Sequence, residues 1–150
     1  MTMERKDIVN GDSVNKIVAQ TVAKYGMLEY VCYSANKRKQ FIERLKGAKL
    51  DDDNMSQMID LYLQIFEISE KTKSIFLGDV DIQEIFHCSS IILGAETIMF
   101  DIGKIFKDNL SSRKCNDVSH IIEEEGKRIK AFYGQNKETR GCKKSRRINE

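Results

Sequence analysis

The chain has 150 residues, of which 41% are hydrophobic and 32% are charged, and its formal net charge at pH 7 is +2. This length suits a single domain, and the balance of apolar and charged residues excludes an intrinsically disordered chain. The absence of Pro favours long helices over turn-rich sandwich and barrel folds, whose turns commonly use Pro.

Two helices are predicted in the first third of the chain. Apolar residues recur with helical spacing over about residues 13–25, and Gly26 follows where helices commonly end in glycine. The second predicted helix covers about residues 27–46, and the basic run 37–39 interrupts its apolar row.

Three further helices are predicted over about residues 55–76, 81–106 and 117–133, each with an apolar stripe of helical period. Residues 134–150 have no apolar period, which predicts a basic, disordered tail, and residues 1–11 are predicted to be flexible. The expected fold is therefore all-α: a single-domain bundle of about five amphipathic helices over residues 12–133.

The fourth predicted helix carries the most apolar stretch of the chain. A second apolar row, Phe86, Leu93 and Phe100, lies beside the first. Such a wide apolar arc predicts a central helix that neighbours contact on several sides. Gly94 and Gly103 either allow a neighbouring helix to come close, or Gly94 divides the segment into two helices.

The same stretch is too short and too charged for a membrane span. Its longest uncharged run, residues 85–95, has eleven residues, whereas a span needs about 20. Asp101 and Lys104 would each cost about 2.5–3.5 kcal/mol near the centre of a bilayer. No membrane contact is therefore expected.

Cysteine spacing and the N-terminal sequence predict a cytoplasmic protein. No two of the four cysteines form a C-x-x-C pair, so a structural zinc site has no support. Residues 1–13 lack the apolar core of a secretory signal. Reduced thiols are therefore expected.

Charge is distributed unevenly along the chain. Residues 36–49 include six basic residues and one acidic residue, a net charge of +5. Residues 51–126 include six basic and sixteen acidic residues, a net charge of −10, and residues 127–150 include nine basic and two acidic residues, a net charge of +7. Two basic patches flank an acidic middle, which would suit a basic protein partner.

The basic patches 37–49 and 127–147 support an alternative function, a small nucleic-acid-binding regulator, because Lys and Arg neutralise backbone phosphates. The tail has no interleaved aromatic residues on which bases could stack, and a solvated or solubilising surface explains the same residues. The candidate contacts are Lys37, Arg38, Lys39, Arg140, Lys143, Lys144, Arg146 and Arg147.

A metal-dependent bundle enzyme belongs to the third alternative. Glu84 and His87 share a helix face, as in the Glu-x-x-His elements of di-iron bundles. His120 and Glu123 repeat the pair in reversed order. Glu96 lies inside the apolar stretch, where a lone carboxylate would be costly unless paired or protonated. The competing interpretation is that Glu96 emerges at the helix edge or pairs with a Lys of another segment.

A different enzyme is suggested by Arg113 and His120, which form an R-x6-H spacing at the start of the fifth predicted helix. This spacing resembles the motif of HEPN-type ribonucleases, which are small helical bundles that act as dimers. Lys114 stands where those enzymes usually have a polar or acidic residue. The resemblance covers these two residues and implies RNA cleavage.

No catalytic residue or cofactor is predicted. His87 and Cys88 are neighbours in sequence, so on a helix they point about 100° apart and cannot form a nucleophile–base pair. The chain has no Gly-rich phosphate loop and no nucleophile elbow. The favoured function is that of a non-catalytic adaptor or regulator, chaperone-like or inhibitory, which binds a protein partner. A groove between apolar stripes would receive an amphipathic helix of that partner, and homo-oligomerisation is compatible with the sequence.

Overall fold

The structure is a computed structural model that describes the backbone of residues 12–75 and 81–149 and the side chains of residues 12–75 and 81–134. These residues contain helices and no strands, which confirms the all-α prediction. The helices are α1 (Val14–Tyr25), α2 (Leu28–Tyr33), α3 (Ala35–Lys46), α4 (Asp52–Ile75), α5 (Ile82–Asn109) and α6 (Ser112–Asn149).

Helix caps explain most of the observed boundaries. The Ser13 side chain accepts a hydrogen bond from the Lys16 N–H (3.1 Å) at the start of α1, and Gly26 ends this helix with a φ of 86°. Asp81 caps α5 in the same way as Ser13 caps α1, by accepting from the Glu84 N–H at 2.8 Å. Each cap satisfies a backbone N–H that has no partner inside its helix.

The prediction of about five helices is not confirmed, because the second predicted helix is divided at Ser34. This residue is extended and caps α3 by accepting a hydrogen bond from the Lys37 N–H at 3.4 Å. The Cys32 carbonyl near the end of α2 accepts a hydrogen bond from the Arg38 guanidinium at 2.6 Å. Ser34 and Arg38 together satisfy the backbone groups that the break exposes.

Helices α4 and α5 form the centre of the bundle. Helix α4 packs against α1, α5 and α6, and α5 packs against α2, α3 and α4. The fully buried large side chains come from all of these helices except α6 and are Val14, Ile17, Val31, Cys32, Leu45, Met58, Leu61, Ile65, Ile98 and Ile102. Helix α6 contributes Val118 to the same core.

Gly94 and Gly103 have different surroundings in α5, which runs unbroken through both residues. A Cβ atom at Gly94 would overlap the Cys32 carbonyl oxygen, whereas a Cβ at Gly103 would meet nothing within 4 Å. Of the two alternatives drawn from the sequence, close approach therefore holds at Gly94. No break of the helix occurs there.

The last helix differs at both ends from the predicted 117–133. The Ser111 side chain accepts a hydrogen bond from the Lys114 N–H at 3.2 Å, so α6 begins five residues earlier. Helix α6 continues through Gly134 to Asn149, so the expectation of a disordered tail over 134–150 is not confirmed. The predicted flexible N-terminus, residues 1–11, lies outside the described residues.

Candidate functional site

Helix α5 exposes a row of large apolar side chains on the side opposite the core. Ile82, Phe86, Leu93 and Phe100, here called the outer row, are 65–69% exposed. Leu93 lies seven residues from both Phe86 and Phe100, so each of these two residues stands about 10.5 Å from Leu93 along one helix face. The wide apolar arc was expected to be covered on several sides, and the described neighbours leave this part of it uncovered.

Small and charged residues flank the outer row. Ser89 and Ser90 are half-buried beside it, and Gly103 leaves a gap in the helix surface. The Lys104 Nζ lies 5.7 Å from the centroid of the Phe100 ring, in cation–π contact. The outer row is therefore a narrow strip of apolar side chains that projects above the smaller side chains around it.

A second surface feature is a groove on one side of α5. Helices α5 and α6 each pack along α4 but contact each other little. As a result, two adjoining cavities of about 610 and 760 Å³ lie beside α5. Both are lined by Tyr62, Gly103 and Lys107. This feature, here called the helix groove, has apolar lining from Tyr62, Met99, Phe106, Leu110, Val118 and Ile122.

Contacts between α4 and α6 hold the walls of the helix groove in place. The Tyr133 hydroxyl donates a hydrogen bond to the Glu67 carboxylate at 3.1 Å, and the pKa of Tyr133 is raised by burial and by this carboxylate. The position at Gly126 faces the Phe66 ring, which is 3.5 Å from where a Cβ would lie. At the groove itself, burial raises the pKa of Tyr62.

In the first basic patch, residues 37–49, the side chains of Lys37 and Arg38 contact other groups of the protein. The Lys37 Nζ lies 5.2 Å from the ring centroids of both Tyr25 and Tyr30, whose rings are stacked 5.8 Å apart. The Arg38 guanidinium is bound to the Cys32 carbonyl inside the bundle. Lys39 remains exposed. Among the predicted nucleic-acid contacts in this patch, Arg38 thus has a structural partner.

The other predicted nucleic-acid contacts fall in the basic tail. Their side chains lie outside the described residues, although α6 extends through their backbone. These residues are Arg140, Lys143, Lys144, Arg146 and Arg147.

The metal-site candidates are not brought together in the structure. Glu96 is 52% exposed, and its carboxylate lies 3.9 Å from the Lys73 Nζ, as the competing interpretation expected. The His87 ring contacts the Tyr33 ring, with centroids 4.8 Å apart. Within residues 12–75 and 81–134, no three His, Cys, Asp or Glu side chains are arranged to hold a metal ion, and this includes Glu84, His120 and Glu123.

The resemblance to ribonucleases rests on two residues of α6, and the structure exposes both. Arg113 and His120 lie on the same side of the helix, two turns apart, and neither lines the helix groove. Their arrangement within one chain provides no cleft around an RNA phosphate among the described residues. The HEPN-like interpretation remains a prediction from spacing alone.

Buried thiols give no sign of nucleophilic chemistry. Burial and the nearby Glu29 carboxylate raise the pKa of Cys32 to about 12. Burial and Glu84 likewise raise the pKa of Cys88. The Cys115 thiol donates to the Phe106 carbonyl, with sulfur and oxygen 3.5 Å apart. A reactive cysteine requires a stabilised thiolate, and these surroundings favour the neutral thiols of Cys32 and Cys88.

Helix α5 is the one helix in the described part of the chain that is long and apolar enough to cross a membrane by length and composition. A third of its most apolar part is buried inside the bundle. Core helices of soluble proteins share these properties, so length and composition alone do not place α5 in a bilayer.

Comparison with known proteins finds no family model that matches the chain, no curated protein similar to it and no solved structure that matches it. Function therefore has to be inferred from the two surface features. Sequence reasoning identified Phe86, Leu93 and Phe100 as an apolar row and expected a groove between apolar stripes. It did not locate the helix groove, because Tyr62 and Ile122 carry no signal of the space between α5 and α6. The polar residues Asn116 and Ser119 on the groove side of α6 were the available hint.

Proposed function

We propose that the protein is a non-catalytic helical adaptor that binds an amphipathic helix of a protein partner in the helix groove. The observation that carries this proposal is the separation of α5 from α6 over α4, which leaves a continuous groove lined by buried and half-buried apolar side chains. Grooves of this kind receive the apolar face of a partner helix.

The lining indicates which kind of helix would fit. Apolar side chains on the groove floor suit anchors spaced i, i+3 or i+4, and i+7 on the partner. Lys107 stands on the α5 side of the groove and Glu123 on the α6 side. These opposite charges would orient a helix that carries an acidic residue towards α5 and a basic residue towards α6.

A side chain that fills the groove tests the proposal. Ser119 is exposed on α6 and lines the groove, so Ser119→Trp would occupy the channel without entering the core. The protein partner is first captured from native lysate with nuclease present, identified and purified. Its affinity should then fall at least about 10-fold with Ser119→Trp, and remain unchanged with Ser119→Ala and with Lys130→Trp elsewhere on α6.

Two results would contradict the adaptor function. One is partner capture that disappears on nuclease treatment, because the complex would then be bridged by nucleic acid. The other is a purified partner whose affinity is equal for Ser119→Trp and Ser119→Ala. Deletion of residues 134–150 should leave partner binding nearly intact, because the groove is built from residues before position 134.

A nucleic-acid-binding regulator is the second candidate, and one observation favours it. The Tyr25 and Tyr30 rings are stacked and lie beside Lys37. These rings supply the aromatic surface that the basic tail lacks. Aromatic rings next to cations are the usual platform for single-stranded nucleic acid. This function predicts binding that weakens steeply with salt and that is lost on deletion of residues 134–150 or in Tyr30→Ala.

A further inference from the structure

We propose that the outer row of α5 pairs with the outer row of a second copy of the chain, in an antiparallel arrangement with Leu93 on the two-fold axis. This goes beyond the adaptor function, since it uses the exposed face of α5. That face meets the helix groove only along the edge formed by Phe100, Gly103 and Lys104.

The spacing of the row is self-complementary. In an antiparallel pair with Leu93 opposite its own copy, residue numbers that sum to 186 face each other, so Phe86 faces the Phe100 of the second copy. A two-fold dimer buries the same patch on both subunits, and Phe86, Leu93 and Phe100 are arranged symmetrically about Leu93. The contact between Phe86 and Phe100 then joins two aromatic side chains, and the contact between the two copies of Leu93 joins two aliphatic side chains.

The charges select the antiparallel direction. In a parallel pair, Lys104 would face its own copy, which places like charges together. The antiparallel register puts Lys104 beside Ile82 near the start of the other α5, where Asp81 and Glu84 carry negative charge. The Lys104 stem can lie along Ile82 while its ammonium group reaches those carboxylates.

Exposed area sets the strength of the pairing. Phe86 and Phe100 are about two-thirds exposed, so each offers about 100–170 Å² to a partner. With Leu93 and Ile82, the row provides a few hundred Å² per copy, below the roughly 800 Å² per partner of a standard interface. Ser89, Ser90 and Gly103 allow the helices to approach closely. The expected dimer is therefore reversible, with a dissociation constant in the micromolar range.

Other occupants of the row fit less well. The tail of the same chain, residues 135–150, has Ile148 as its only large aliphatic residue, so it offers little apolar surface to cover the row. Insertion of α5 into a lipid bilayer would remove Ala95, Ile98 and Ile102 from the core in which they are fully buried. A bilayer surface remains the competing occupant and is included in the test.

Sedimentation of the full chain tests the pairing. Between about 1 and 200 µM, a range that brackets micromolar affinity, the mass should rise from 17.3 kDa towards twice that value. Leu93→Glu places two carboxylates at the axis and should weaken dimerisation more than about 100-fold. Phe132→Glu, at an exposed apolar residue of α6, is the matched control and should dimerise normally. A wild-type chain that stays monomeric, or a Leu93→Glu chain that dimerises normally, overturns the proposal.

Cross-linking tests the register. Helix axes 8–10 Å apart bring the two Cα atoms at position 93 within disulfide reach, so Leu93→Cys should form a covalent dimer on mild oxidation, beyond the background of the wild-type thiols. Phe100→Cys alone should not form a covalent dimer, whereas a mixture of Phe86→Cys and Phe100→Cys chains should form one. Efficient self-linking of Phe100→Cys overturns the antiparallel register. A second test is binding of the monomer to phosphatidylcholine–phosphatidylglycerol vesicles. If the monomer binds and Leu93→Glu abolishes this binding, the row is assigned to a membrane surface and the pairing is overturned.

Discussion

The inner and outer faces of α5 both carry large apolar side chains, yet one forms the core and the other lies in solvent. Ile98 and Ile102 on the inner face are fully buried, whereas Leu93 and Phe100 on the outer face are about two-thirds exposed. Both faces follow the periodicity that indicates a helix. The comparison shows that a wide apolar arc identifies a helix with two apolar surfaces, and that only its neighbours decide which surface is internal.

The outer face thus has the properties of an interaction surface, because exposed apolar rows of this size are often functional in a monomer. The inner face forms part of the core, so the bundle needs α5 for its stability. Four predictions distinguish the two faces, in order of decreasing effect.

Truncation of one apolar residue on each face should separate them most clearly. Ile98→Ala should lower the free energy of unfolding by about 2–5 kcal/mol, because it leaves a cavity in a fully buried site. Leu93→Ala should change it by less than about 0.5 kcal/mol. Urea unfolding at low protein concentration, where self-association does not contribute, gives both values. A loss above about 2 kcal/mol for Leu93→Ala would mean that the outer face is packed within the monomer.

Two glycine substitutions should have opposite effects on stability. Gly94→Ala should cost about 3 kcal/mol, because the added methyl group overlaps the Cys32 carbonyl and forces α2 away from α5. Gly103→Ala should stabilise the protein by up to about 1 kcal/mol, since its Cβ meets nothing and alanine favours the helix. Denaturant midpoints of the two variants provide the test, and equal shifts would contradict the close packing at Gly94.

The core against which the inner face packs should also make stability fall at alkaline pH, through Cys32 of α2. The folded-state pKa of Cys32 is about 12, raised from 9.0 by burial. Its contribution is fully present below pH 9 and is lost as pH rises from 9 towards 12, because the unfolded thiol then ionises first. At pH 10.5 the loss should be about 2 kcal/mol. Urea unfolding at pH 8 and 10.5 should show this extra loss in the wild type but not in Cys32→Ala.

Charge removal at the edge of the outer face should have the smallest effect. Glu96→Gln should reduce the free energy of unfolding by less than about 1 kcal/mol, because the pair with Lys73 is long and half-exposed. Glu43→Gln, which removes a surface pair with Lys46 at 3.7 Å, is the control. A loss above about 2 kcal/mol at Glu96 would indicate a buried role for this carboxylate. Thermal unfolding of both variants is sufficient.

Much of the helical organisation followed from local chemistry. Ser13, Gly26 and Asp81 lie at the helix ends predicted from the sequence, because caps act over three or four residues and need no distant partner. Ser34 was missed although it is also a cap. Its surrounding apolar and basic residues allow one long helix, and the Ser34 cap and the Arg38 contact with Cys32 together stabilise the break.

The candidate surfaces were less accessible to sequence reasoning. The outer row was recognisable as an apolar row, but its exposure depends on where α2 and α4 contact α5. The helix groove depends on the divergence of α5 and α6, and the space between two helices has no periodic signature. The expectation of a partner helix in a groove came from fold-level analogy, and the tertiary structure contains a groove with an apolar lining.

By itself, the sequence determined that the chain forms amphipathic helices and where most of them begin and end, because hydrophobic period and capping are local properties. Only the tertiary structure decided that Gly94 meets a carbonyl oxygen, that Glu96 pairs with Lys73 at the surface, and that Phe86, Leu93 and Phe100 remain exposed. These outcomes depend on contacts between segments far apart in the chain. Such contacts are set by which apolar faces can be buried together.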